Sequence, residues 1–146
     1  MKFIGLFIVG VIAGSMIAIQ SVLNSALGRK TGNLGSVLIL TLVSVSLLLV
    51  LIVLFPRTAN FRNIPGLSEW YLYVGGALGV VILAVPIFLI PRIGTTSTLT
   101  ALVVGQLGLS LFIDHFGLFG FEKVEISLTR MFGVALLALG AFLIKQ

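Results

Sequence analysis

Five stretches of this chain, each of about twenty residues, carry almost no charge, and they fix the solvent in which it folds. They run over 3–27, 34–55, 70–90, 94–113 and 126–144. A helix rises ~1.5 Å per residue, so each run can cross ~30 Å of hydrocarbon with its backbone N–H and C=O groups bonded internally. Arg130 is the only charged residue inside the runs. It lies about one turn from the start of the fifth, where a long side chain reaches the headgroups. A membrane barrel would need alternating polar and apolar residues, whereas Leu47 to Leu54 is apolar throughout. The expected fold is therefore an all-α integral membrane protein of five transmembrane helices, forming a single domain over 1–146. The opening Lys2 and apolar run resemble a signal peptide, but the run is too long and lacks a small-residue cleavage site, so it reads as the first helix.

Composition closes off the other classes. Hydrophobic residues make up 59% of the chain and charged ones 9%, with a mean hydropathy of +1.27, too little polar surface to cover a water-soluble globule. There is no cysteine, which removes a disulfide scaffold. The net charge of +5 is scattered along the chain without a basic stripe, which points to loops meeting anionic lipid heads and away from nucleic acid.

Between the runs lie short, breaker-rich linkers: Gly28 to Asn33, Pro56 to Glu69, Pro91 to Ile93, and Asp114 to Glu125. The second is either an irregular connection or a short interfacial segment, since Phe61, Ile64 and Leu67 recur every three residues beside Arg57 and Arg62. Trp70, Tyr71 and Tyr73 mark the headgroup layer at the start of the third span. Pro86 lies within that span, as a hinge or as fixed shape.

Cytoplasmic loops normally carry an excess of Lys and Arg. Here one side has five (Lys2, Arg57, Arg62, Lys123, Arg130) and the other four (Arg29, Lys30, Arg92, Lys145). So small a difference suits a chain inserted in both orientations, giving an antiparallel dimer whose ten helices form an inverted repeat. A singly oriented chain, or a partner chain of opposite bias, is the alternative.

In lipid, polar residues carry the information. Gln20 and Asn24 are four apart on one helical face, with Ser21 and Ser25 on the adjacent stripe. In the fourth span Gln106, Ser110 and Asp114 follow at i+4 intervals. Gln20 and Gln106 each lie about seven residues before their span's exit, and the exits are on opposite faces. In an antiparallel pair they would stand at similar depth, either lining a shared cavity or bonding helices together. Asp114 and His115 are candidates for coupling or gating, or else cap the end of the span. Gly10 with Gly14 and Gly75 with Gly79 have the spacing of close helix packing. No metal-ligand cluster, cofactor fingerprint or embedded acid pair is present, so no metal, cofactor or enzyme chemistry is expected.

The segment Gly105-Gln-Leu-Gly-Leu-Ser-Leu-Phe-Ile-Asp-His-Phe-Gly-Leu-Phe-Gly120 resembles the signature of the YdcZ family within the drug/metabolite transporter superfamily. Gln20 to Gly28, Trp70 with Gly75 to Gly79, and Pro91-Arg-Ile-Gly94 fall where that family has them. The resemblance implies a five-helix unit similar to half of a ten-helix carrier, acting as a homodimer or with a related chain in the bacterial inner membrane. It also implies transport of a small organic metabolite. The related small multidrug transporters carry a membrane-embedded glutamate, and the first span here has no acid, which argues against proton-coupled cation export. The leading expectation is alternating access around a cavity lined by Gln20, Asn24, Gln106 and Ser110. A non-transporting membrane subunit packed against a larger partner is the reading from a different class.

Overall fold

The computed structural model describes residues 2–120 and 122–144, the side chains of Lys2 and Phe3 excepted. Lys145, counted in the charge tally, lies outside the described residues, as do Phe121 and Gln146. Among the described residues the chain is all helical. Five long helices, α1 (Lys2–Thr31), α2 (Asn33–Leu54), α3 (Val74–Ile93), α4 (Thr95–Phe116) and α5 (Leu128–Ile144), are joined by short 3-10 segments and turns. Four helical stretches are long and apolar enough to span a bilayer. The fifth helix begins two residues later than the apolar run and has 17 residues, or about 25 Å of rise. Large apolar side chains point outward along every helix, as expected when hydrocarbon rather than water surrounds the fold.

Two of the expected linkers are helical. α1 continues through Arg29, Lys30 and Thr31, and α3 continues through Pro91 to Ile93. Each helix is separated from the next by one glycine, Gly32 (φ 76°, ψ 162°) and Gly94 (φ 80°, ψ 163°), a conformation that residues bearing a Cβ rarely adopt. The turn therefore needs only one residue. The backbone bonds resume at once: Gly32 N–H donates to the Gly28 carbonyl at 2.9 Å, Ser36 N–H to Gly32 at 3.0 Å, and Thr98 N–H to Gly94 at 3.2 Å. Burial repeats with the turn. Asn24, Ser25 and Ser36 are buried around Gly32, and Pro86, Ile87 and Thr98, at the same offsets, are buried around Gly94.

The Pro56–Glu69 linker is an irregular connection punctuated by the 3-10 turns Pro56–Thr58, Phe61–Asn63 and Leu67–Tyr73. Asn60 caps the second by accepting from Arg62 N–H at 3.1 Å, and Tyr73 Oη donates to the Pro65 carbonyl at 2.6 Å. Trp70, Tyr71 and Tyr73 all stay exposed in the third turn, at the entry to α3. Hydroxyls inside the helices mostly satisfy themselves by donating one turn back, as Ser15 does to Val11, Thr41 to Val37, and Ser44 to Leu40.

The chain divides into two compact units, Met1–Pro91 and Arg92–Gln146. In the first, α1 packs against α2, and Ile87 of α3 lies against Gly28 of α1. In the second, α4 packs against α5.

Candidate functional site

In the first unit the polar residues of α1 gather at its C-terminal third. Ser21 and Asn24 are each 5% exposed and Ser25 1%, in a helix whose other faces lie open. Gly28 explains the close approach: a Cβ there would run into Ile87 Cγ2 and come within 3.4 Å of Ser36 Oγ. Glycine is thus the residue that lets α1 meet both neighbours with hydroxyls and an amide at the contact. Ser21 Oγ donates to the Ile17 carbonyl and Ser36 Oγ to the Asn33 carbonyl, each at 2.8 Å. Ser25 Oγ is buried with no hydrogen-bond partner. Pro86, the residue before Ile87 in α3, has no N–H, so the Ile82 carbonyl one turn earlier loses its helical donor. The unit thus holds an amide, a free hydroxyl and a deprived carbonyl in an otherwise apolar body, a set that reads hydrogen-bonding groups rather than charge.

Gln20, one turn before Asn24, is exposed on the surface of α1. The shared helical face expected from spacing therefore splits by depth, because Asn24 has reached the zone where α2 and α3 close in and Gln20 has not. Gln106 is likewise exposed on α4, and Ser110 is half-buried with Oγ donating to the Leu107 carbonyl at 2.9 Å. For Gly10, Gly14, Gly75 and Gly79, nothing lies within 4 Å of an added Cβ. The close contact within the first unit is made by Gly28 instead, a position that spacing patterns between two glycines overlook.

The second unit organises its polar end around Asp114. Its Oδ2 accepts from Arg130 Nη2 at 3.0 Å, and its carbonyl accepts from Gly117 N–H at 3.3 Å and Val124 N–H at 2.8 Å. Gly117, at φ 60°, supplies the left-handed cap that ends α4. Ser127 caps α5, its Oγ accepting from Arg130 N–H at 3.2 Å. That places Arg130 in the first turn of α5, where a cation opposes the helix dipole and an acid beside it is favoured. The guanidinium thus pairs with Asp114 rather than extending to headgroups, a partnership across sixteen residues that no local spacing announces. His115 packs edge-on against Phe116, which in turn lies 4.6 Å from Phe112. Arg130 Nη1 and His115 Nδ1 are buried atoms without hydrogen-bond partners.

Both members of this pair are more than a third exposed, so its contribution is small. Asp114→Asn and Arg130→Gln are each expected to cost about 0.5–1 kcal/mol, and the double variant little more than either single one. Thermal unfolding of the four proteins in detergent checks this; additive losses would show that the two side chains act separately.

Against known families, the chain matches over residues 5–143 the model DMT_YdcZ, described as "Putative inner membrane exporter, YdcZ". No curated protein and no solved structure matches it.

Proposed function

The chain belongs to the DMT_YdcZ family, and from that membership we propose that it moves a small polar organic solute across the inner membrane by alternating access. It is an inner-membrane protein of a transporter family, not of an enzyme family. The working unit in this reading is an antiparallel pair, with itself or a related chain, whose ten helices form an inverted repeat. The two compact units of each chain act as one five-helix domain.

The observation that carries the reading is Asn24, buried beside Ser25 and its unpartnered hydroxyl on the one face of α1 that packs against protein, along with Ser21 and Gly28. A neutral amide and hydroxyls select a solute by its donors and acceptors, and the deprived Ile82 carbonyl adds one acceptor. Gln20 and Gln106 extend the path. Gln20 stands eleven residues before the end of α1 and Gln106 ten before the end of α4, depths of about 15–17 Å that coincide when one chain is inverted. Ser110 continues the path toward Asp114 and His115, which serve as its coupling or gating end. The open surfaces over Gly10, Gly14, Gly75 and Gly79 are left for helices of the second chain.

The test is solute flux in proteoliposomes, using a solute found by screening small polar metabolites against the wild-type chain. Asn24→Ala, Gln20→Ala and Gln106→Ala are expected each to reduce flux at least tenfold while leaving the amount of dimer unchanged. Wild-type flux in all three would overturn the cavity.

A further inference from the structure

Near the junction of α1 and α2, an open groove of about 410 Å³ runs between the start of α2 and the second half of α3. Asn33, Leu34, Ala84, Val85, Phe88 and Leu89 line it, and Asn33 is the one polar residue among them. Arg29 and Lys30 lie in the last turn of α1, four and three residues before Asn33. Both are exposed, and neither forms an ion pair among the described residues. Within the first unit no acid offsets them. The sole acid of the first unit, Glu69, precedes α3, about 20 Å or more along the helix from Ala84. An apolar trough therefore opens near two cations, at the end of a helix, that no acid of the first unit offsets.

We propose that this groove is a site for an anionic phospholipid, with an acyl chain against Ala84, Val85 and Phe88 and the phosphate held by Arg29 and Lys30. The chemistry is complementary at both ends. Hydrocarbon meets the apolar lining, while the guanidinium and ammonium meet the headgroup phosphate, whose charge is not cancelled by a headgroup ammonium as it is in a zwitterionic lipid. A polar solute matches the other candidate site, not this groove. The site acts on the protein as a bound wedge between α2 and α3.

Native mass spectrometry of the full chain in mild detergent tests it, with phosphatidylglycerol and phosphatidylethanolamine of identical acyl chains titrated separately. Two basic residues, each contributing about a factor of five near a charged headgroup, are expected to favour phosphatidylglycerol by about thirtyfold. Arg29→Gln/Lys30→Gln is expected to bring the two lipids to within about twofold of each other. Ala84→Phe, which fills the trough, is expected to weaken both lipids alike. Equal binding of the two lipids by the wild type, or a preference that survives the charge substitutions, overturns the proposal. So does an Ala84→Phe protein that binds both lipids normally but no longer dimerises, since the groove would then be occupied by a second copy. The same pair of substitutions shifts the balance of orientations, so lipid binding is read on the monomer, and that comparison decides the matter even if Ala84→Phe does not fold.

Discussion

Gly28→Ala is expected to lower the thermal midpoint of the chain in detergent by roughly 5–10 °C, a large change for the addition of one methyl group to a membrane helix. The physical cause is a single overlap. The new Cβ would collide with Ile87 Cγ2, while Ser36 Oγ stands at ordinary contact distance. Overpacking of this kind costs about 1–3 kcal/mol, since α1 must move away from α3 or Ile87 must leave its rotamer. Ile87 is 2% exposed and has little room to turn. The prediction separates from a general intolerance of larger residues through a double variant. Ile87→Ala removes Cγ2 and destabilises by leaving a void, but Gly28→Ala added to it should cost nothing further and is expected to recover part of the loss. Ser36→Ala should give no such rescue. An equal cost of Gly28→Ala with either residue at position 87 would place its effect in helix propensity or in the unfolded chain, not at this contact. The same substitution at Gly10 or Gly75, where nothing lies within 4 Å, is expected to leave the midpoint of the isolated chain unchanged within a degree or two.

This contrast shows where the sequence is explicit and where it is silent. Runs of apolar residues report the solvent directly, so the spans and their order can be read from 3–27 onward without a structure. Helix ends cannot, because Gly28-Arg-Lys-Thr reads as a polar linker until the backbone shows that Gly32 alone makes the turn. The matching turn at Gly94 is equally hidden, since the residues around the two glycines share a burial pattern but almost no side chains. Helical periodicity places Gln20 and Asn24 on one face, yet only tertiary packing separates them into an exposed amide and a buried one. Asp114 was visible as an acid at the end of a span. Arg130 was visible as a charge inside the fifth run, but its pairing with Asp114 was not, because no local spacing fixes how the intervening loop brings them together. Local chemistry is thus written in the chain, and the partner of each polar group is decided by the helices that meet it.

A single cysteine placed at Gln146 of this cysteine-free chain is expected to be about half labelled by a membrane-impermeant thiol reagent in intact cells, and fully labelled once the membrane is permeabilised. The cause is electrostatic. The five and four Lys and Arg of the two sides lie near the ends of the spans, where they bias insertion, and a difference of one leaves the two orientations close in free energy. A balance so fine must tip easily. Arg29→Gln/Lys30→Gln leaves five against two, which holds the N-terminal side in the cytoplasm; with five spans the C-terminus is then outside and labelling in intact cells should approach completion. Arg57→Gln/Arg62→Gln/Lys123→Gln leaves two against four and should drive labelling toward zero. If either variant alone forms poorly active protein and coexpression of the two restores flux, the working unit contains one chain of each orientation, which is what equal depths of Gln20 and Gln106 require. A native chain labelled from one side only would exclude the antiparallel self-pair and leave a parallel assembly or a related chain of opposite bias. Matched amide depths would then require the related chain, which should copurify in a fixed ratio; without such a subunit the assembly is parallel and the two amides do not share a depth.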